Sequence, residues 1–508
     1  MNIKKLAKTF GNPLWRVQNL YTIVNKAGDQ VKFRPNAPQE MLNEFTSKRR
    51  MVLKARQMGV STNEILRMFD ATCFNRNTTH VIIAHEQGGI EKLFRICKRA
   101  YKYMPENIKP RLDRGGGSKY EMYFPEINSR IYCDLEVRGD TVQWLHVSEM
   151  AFMKDSSRVK STLQAVPIRT GRVTIETTPN GMANHFYDMW IDREQPYKKI
   201  FFPWFIFNEY QLPAGKMTRT DEEKKFAKQA FKEYGITITD NQIAFRRIKK
   251  AELKPSAHDK KRVTFEQEYP EDDITCFLVS GEAVMDLKKV QALIDACEGP
   301  IFDDEEGFKQ YKNYNKNRTY VCGGDPAEGI GKDWSVGVII EIETLTVVAV
   351  CRGQWKPSEF ARKLNEMCRI YSRNNSDCPI LVVERNNHGH AVIQALHEGL
   401  KAHGNLPEMA AYPNIWVCPT DERLGWKTDN ITRPVMFSNF VDAAEDGYLK
   451  IYDLDTLTEC LTLVDNKGRI EAAEGKHDDC IASTAIALQV ALQNSPQLYA
   501  NIDKRILL

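Results

Sequence analysis

Four short apolar runs, Met51–Ala55 (MVLKA), His80–Ala84 (HVIIA), Val142–Val147 (VQWLHV) and Arg172–Thr177 (RVTIET), alternate with segments of helical pattern. Strands joined by helix-length connections predict a parallel sheet, because parallel neighbours need long crossovers. After a polar stretch rich in Lys, Glu and Gln, Thr220 to Arg262, a second block changes the pattern. Thr319–Gly324 (TYVCGG) leads into Trp334–Ile342 and Thr346–Gly353, which alternate as antiparallel strands do. A helical segment, Pro357–Ser372, a buried strand, Pro379–Val383 (PILVV), and a last helix from Asp479 to Leu492 complete it.

With 508 residues the chain needs more than one core. The expected division is an N-terminal segment 1–50, a first α/β domain 51–255, a linker or subdomain 256–316, a second domain 317–495 and a tail 496–508. Composition is that of a soluble globular protein, 42% apolar and 27% charged. Twelve cysteines without a CxxC pair disfavour a zinc ribbon or a disulfide scaffold and fit a reducing cytoplasm. No secretory leader or membrane span is expected. The net charge of +4 is uneven: residues 1–110 hold 20 Lys+Arg against 8 Asp+Glu, and residues 301–508 hold 22 against 30. A basic front suits phosphate-rich partners, whereas acids in the second half suit DNA only as metal ligands.

Lys54 to Thr62 reads KARQMGVST, after a strand and before a helix-compatible segment. That is the context of a phosphate loop, in which backbone N–H groups around Gln57 and Gly59 face an anion at a helix N-terminus. Ser61 or Thr62 offers a hydroxyl to Mg²⁺. The usual loop lysine is replaced by Val60, so Lys54 or Arg56 must supply the charge. Downstream, VQWLHVSE is a strand ending in Glu149, a residue type and place suited to orienting an attacking water. The aspartate expected before it is Ser148. Thr177–Gly181 (TTPNG) forms a third strand-end turn, with Thr177 or Thr178 placed to sense a phosphate.

In the second block Asp325 ends one strand (YVCGGD), Glu384 another (PILVVE), and Asp478 and Asp479 open the last helix (GKHDDC). Acids from two strand ends and one helix start can converge on a pair of Mg²⁺ or Mn²⁺ ions that stabilise both oxygens of a phosphodiester displacement. Either Asp478 or Asp479 could instead cap the helix. Asp333, in the turn after Asp325, is an auxiliary ligand candidate, and His388 (ERNNHG) a substrate contact or a turn residue.

KARQMGVST, VRGDTVQWLHVSEMAF and TTPNG, in this order and followed by the acid set, resemble the motifs of tailed-phage terminase large subunits. The resemblance covers roughly residues 30–490. It implies a P-loop ATPase domain of ASCE type followed by an RNase H-like nuclease domain. It also implies ATP and Mg²⁺ or Mn²⁺ as cofactors, ATP-driven packaging of viral double-stranded DNA, and endonucleolytic cleavage of concatemers. Gln39 would contact adenine, Arg138 would be an arginine finger reaching a neighbouring subunit, and Thr177 and Thr178 would couple hydrolysis to movement. The implied partners are the small terminase subunit, a portal ring and further copies of the chain. Their place is the procapsid vertex in the host cytoplasm, and the mature virion is not expected to hold the chain. Two rivals stand beside this: a nuclease whose ATPase half has decayed, and a non-catalytic DNA-binding or capsid adaptor. A helicase would need a second motor domain that the sequence does not resemble.

Overall fold

The computed structural model describes residues 9–113, 119–137, 139–254, 263–277, 282–327, 334–402, 406–466, 469–473 and 475–495. The chain divides into two compact units, Met1–Val279 and Ser280–Leu508.

In the first unit, β1 (Thr22–Val24) and β2 (Gln30–Lys32) make a small antiparallel hairpin. The main sheet contains β3 (Arg49–Lys54), β4 (Thr79–Ile83), β5 (Glu121–Phe124), β6 (Ser129–Asp134), β7 (Trp144–Ser148), β8 (Arg172–Thr177) and β9 (Lys198–Phe202). Their spatial order is β5-β6-β4-β7-β8-β3-β9, and every neighbouring pair is parallel except β5 with β6. The four predicted runs are thus the four central strands. β8 lies between β3 and β7, the inserted-strand order that an ASCE-type sheet requires. Central strands covered on both faces are apolar almost throughout, and β3 is buried from Arg50 to Lys54. The polar stretch forms helices Asp221–Tyr234 and Asp240–Glu252, each opened by a Thr capping box.

The second unit begins with β10 (Glu282–Ala283). A six-stranded sheet follows, formed by β11 (Phe302–Asp303), β12 (Phe308–Gln310), β13 (Tyr320–Asp325), β14 (Ser335–Glu341), β15 (Thr346–Gly353) and β16 (Ile380–Val383), in the order β11-β12-β15-β14-β13-β16. All its pairs are antiparallel except β13 with β16. This mixed sheet is the one that an RNase H-like reading requires. β17 (Leu463–Asn466) pairs with β10 on one side and β18 (Arg469–Ala472) on the other, in a separate three-stranded antiparallel sheet. Phe302–Gln310, in the segment expected to be a linker or subdomain, adds two strands to the edge of the second unit's sheet.

The helix Asp479–Gln493 is buried from Cys480 to Leu492, so its apolar surface runs all round. It presses directly onto β13: a Cβ at Gly323 would stand 2.3 Å from the Ser483 carbonyl oxygen, and Ser483 Oγ donates to the Gly323 carbonyl at 3.1 Å. Glycine is required there by close approach, which brings the start of this helix level with the end of β13. Among the described residues no helix is long and apolar enough to cross a membrane.

Candidate functional site

In the first unit the three sequence motifs meet at the C-terminal ends of β3, β7 and β8. Lys54, the last residue of β3, is 4% exposed, and its Nζ lies 2.9 Å from Glu149 Oε1 and 3.0 Å from Glu176 Oε2. Burial disfavours the ammonium, but the two carboxylates outweigh it and hold Lys54 above its ordinary pKa. Arg56 turns elsewhere. Its guanidinium bonds Glu268 Oε2 at 2.8 Å, its amide donates to the Glu268 carbonyl at 3.0 Å, and the Tyr210 hydroxyl donates to its carbonyl. Of the two candidate cations, Lys54 is the one that faces the acids.

The loop between β3 and the helix Val60–Phe74 takes left-handed backbone at Gln57 (φ +56°) and Gly59 (φ +76°). Gly59 is also crowded: a Cβ there would meet Gln39 Nε2 at 2.5 Å. Gln39 is buried and braces this loop, donating from Nε2 to the Gly59 carbonyl at 2.7 Å while its Oε1 accepts from the Asn36 amide at 2.9 Å. Asn36 Nδ2 holds the Met58 carbonyl at 3.0 Å. Both ends of the Gln39 side chain are thus engaged with the phosphate loop and its flanking helix. Ser61 Oγ donates to Glu176 Oε1 at 2.5 Å, whereas Thr62 lines a small separate cavity with Thr22, Val24, Ile96 and Arg99. The hydroxyl at the acids is that of Ser61.

Glu149 follows β7 in left-handed backbone (φ +54°). Its Oε2 accepts from the Thr178 amide at 3.0 Å, with the Thr177 and Thr178 hydroxyls each at 3.3 Å. Thr177 Oγ1 also accepts from the Ala151 amide at 3.3 Å, and Asn180 Nδ2 donates to the Ala151 carbonyl at 2.9 Å. The turn after β8 is therefore tied to the turn after β7 through Glu149. Arg138 lies outside the described residues. The backbone N–H of its neighbour Val137 donates a hydrogen bond to Thr162 Oγ1 at 3.1 Å.

Glu176 was not among the sequence candidates. It is fully buried on β8, directly beside Ser148 in the β7–β8 register, and Ser148 Oγ donates to its Oε1 at 2.9 Å. Burial alone would raise its carboxyl, yet Lys54 above all holds it below the usual range. The sequence signal was there: an acid in the otherwise buried run RVTIET needs a partner.

In the second unit Asp325 ends β13 and Glu384 directly follows β16, its amide donating to the Gly324 carbonyl at 2.8 Å. Asp478 and Asp479 stand at the start of the helix Asp479–Gln493. Burial, then the charges of Glu384 and Asp479, raise the Asp325 carboxyl well above the carboxylate range, and Asp325 shares a hydrogen bond with Glu384. The two aspartates differ. Asp478 Oδ2 accepts from Arg433 Nη2 at 2.5 Å and from the Ala472 amide at 3.1 Å. Asp479 Oδ2 accepts from the Trp334 amide at 3.3 Å, with His477 Nδ1 at 3.7 Å. Asp479 weighs more on Asp325 than Asp478 does. Buried Glu459, missed in the sequence, accepts from the Ile481 amide at 3.0 Å, and its carboxyl is raised by burial and then by Asp479. His388 precedes the helix Gly389–Glu398 and its side chain makes no cap bond. Asp333 lies outside the described residues.

These acids converge without forming a finished cage. Among the described residues no three or more His, Cys, Asp or Glu side chains stand in ready metal-ligating geometry. Glu384 and Asp479 both raise the cost of ionising Asp325. Asp325 and Glu384 bond each other, and Asp478 bonds Arg433. As a donor set they are hard carboxylate oxygens, which suit Mg²⁺ or Mn²⁺.

No family model matches the chain. Among solved structures it is similar to the large terminase of bacteriophage HK97, over 94% of this chain and 98% of that one, at 11% identity and a TM-score of 0.43. The likeness is to phage large terminases. A large terminase ATPase domain from Thermus phage P74-26 is similar over 47% of this chain and 94% of that one, at 15% identity and a TM-score of 0.31. A large terminase nuclease from thermophilic phage G20c with bound magnesium is similar over 39% of this chain and 95% of that one, at 16% identity and a TM-score of 0.30.

Proposed function

We propose that the chain is the large subunit of a tailed-phage terminase, driving double-stranded viral DNA into a procapsid with ATP and cutting concatemeric DNA with a metal-dependent nuclease. The observation that supports it most is the pair of strand-end sites in one chain. One unit sets Lys54 and Glu149 beside a phosphate loop, and the other gathers Asp325, Glu384 and Asp479.

In the ATPase half, amides at the N-terminus of the helix Val60–Phe74 face the phosphates, and Lys54 adds positive charge. Glu149 orients and polarises the attacking water. Its carboxylate needs no reorganisation to do so, because Lys54 and the Thr178 amide already fix it. Thr177 and Thr178 pass any shift of Glu149 to the turn after β8. Gln39, which braces Gly59, is also the adenine contact in this reading.

In the nuclease half, Asp325, Glu384 and Asp479 would hold divalent cations, two in this proposal, which supply charge at a phosphodiester and lower the pKa of a bound water. Asp478, bonded to Arg433, orients the start of the helix. The partners proposed are the small terminase subunit, a portal ring and neighbouring copies of the chain, at a procapsid vertex in the host cytoplasm.

The test is to measure ATP turnover and plasmid cleavage on wild type, Glu149→Gln and Asp325→Ala. The expected result is one activity lost and the other kept in each variant. ATP turnover in the wild type also separates this reading from a nuclease with an inert ATPase half. A wild type with neither activity would overturn it.

A further inference from the structure

Ser148 stands where a strand-end aspartate would serve a nucleotide-bound cation, and the residue paired with it across the sheet is an acid. Ser148 and Glu176 are direct partners in the parallel β7–β8 register. The Glu176 carboxylate is fully buried, and three groups of the nucleotide site converge on it. Ser61 Oγ donates to Oε1 at 2.5 Å, Ser148 Oγ donates to Oε1 at 2.9 Å, and Lys54 Nζ lies 3.0 Å from Oε2. The fully buried His146 ring stands behind it, Nε2 3.8 Å from Oε1, and burial lowers its pKa and favours its neutral form. Apart from the ion pair with Lys54, Oε2 has no hydrogen-bond partner among the described residues. A carboxylate placed this deep is costly, and a single ion pair seldom repays the burial. Its partners are instead those of a carboxylate that organises a phosphate loop.

We propose that Glu176 replaces the missing strand-end aspartate: the acid has moved one strand over, and it positions Ser61 for the Mg²⁺ that accompanies ATP. The chemistry follows from the hydrogen bond. With its proton spent on Glu176, Ser61 Oγ keeps its lone pairs for a cation. Ser148 fills the vacated position with a hydroxyl small enough to admit the neighbouring carboxylate and to donate to it. Glu176 is a positioning residue, because it acts through Ser61 and Lys54 rather than on the reacting atoms. This rests on the reading of the first unit as an ATPase.

The experiment uses full-length chain and measures fluorescent-ATP affinity with and without Mg²⁺, and Mn²⁺ binding in the presence of nucleotide by electron paramagnetic resonance. Outer-shell partners of a metal site typically contribute 10–100-fold in metal affinity, so Glu176→Gln should lose about 10–100-fold of the metal-dependent gain. Affinity for metal-free nucleotide should change far less. The decisive variant moves the carboxylate back: Ser148→Asp with Glu176→Ser should recover the metal-dependent gain that Glu176→Ser alone lacks. If Glu176→Gln fails to fold, a folded double variant decides the matter in the same way. A full metal-dependent gain in folded Glu176→Gln, or a folded double variant with no recovery, would overturn the assignment to Glu176 while leaving ATP binding intact. A wild type that binds no Mg²⁺-ATP would overturn the ATPase reading and this one with it.

Discussion

Lys54 and Glu149, at the ends of β3 and β7 with β8 between them and 95 positions apart in the chain, form an ion pair with Nζ 2.9 Å from Oε1. The pair distinguishes the two cations of the loop by their surroundings. Lys54 is buried between Glu149 and Glu176, whereas the Arg56 side chain is 58% exposed and paired with Glu268. Removing one member of a buried charge set strands the others and typically costs about 3–5 kcal/mol, whereas an exposed pair contributes about 0–1 kcal/mol. Lys54→Ala should therefore lower stability by several kcal/mol in urea titrations and abolish ATP binding. Arg56→Ala should do little to either, and the opposite ranking would exchange their roles. Glu149→Gln should bind ATP at near wild-type affinity and lose about 10²–10⁴-fold in turnover.

In the nuclease half the carboxylates oppose one another, which separates their effects on activity and on stability. Asp325→Asn, Glu384→Gln and Asp479→Asn should each abolish plasmid cutting. In EDTA, Asp325→Asn should melt at or above the wild-type temperature, because the substitution relieves a carboxyl crowded by Glu384 and Asp479. Asp478→Asn should retain much of the cutting, since Asp478 already bonds Arg433 and the Ala472 amide. EDTA should stop cleavage and Mn²⁺ restore it. An Asp478 variant as inactive as Asp479→Asn would return both aspartates to the metal set.

The strand-end acids were legible in the sequence because each closes a short apolar run, and a parallel sheet displays its strand ends together. Glu176 was not, for it lies inside such a run, and β periodicity does not say which neighbour a buried acid will meet. Only the β7–β8 register reveals that Ser148 and Glu176 are side by side. Gln39 enters only through the family resemblance, and its bond to the Gly59 carbonyl depends on the turn of the phosphate loop. β11 and β12 escaped because two- and three-residue strands hold too little pattern to distinguish them from a linker. β5 and β6 alternate in burial along EMYF and SRIYCD, a half-buried period that is a weaker sequence signal than a continuous apolar run.

The close approach of the last helix to β13 gives a third prediction. A methyl group at Gly323 would stand 2.3 Å from the Ser483 carbonyl oxygen, backbone that cannot turn aside. The helix must then retreat from the strand, and Asp479 with it. Overpacking of this kind costs about 1–3 kcal/mol, so Gly323→Ala should fold with a lowered melting transition in the second unit. DNA cleavage should fall with it and ATP turnover should not. Full cleavage in Gly323→Ala would mean that the spacing of helix and strand does not set the geometry of the acids.

The arginine finger proposed for Arg138 is tested by its dependence on a neighbour. Of the described residues on either side, the Val137 amide donates to Thr162 Oγ1, and Asp140 accepts from Arg130 at 2.6 Å and from the Tyr132 hydroxyl at 2.8 Å. A finger supplied in trans contributes about 10³–10⁵ in rate, so the isolated chain should hydrolyse ATP slowly and accelerate on a portal ring. Mixing separates a finger from a turn residue. Arg138→Ala chains keep Glu149 but offer no finger, whereas Glu149→Gln chains offer a finger but cannot position water. Assembled together, some Arg138→Ala sites meet an intact Arg138 from a Glu149→Gln neighbour, and ATPase activity should rise above that of either variant alone. A fully active Arg138→Ala chain, with no gain on mixing, would overturn the finger and leave Arg138 to the alternative that its Arg-Gly sequence offers, a turn residue.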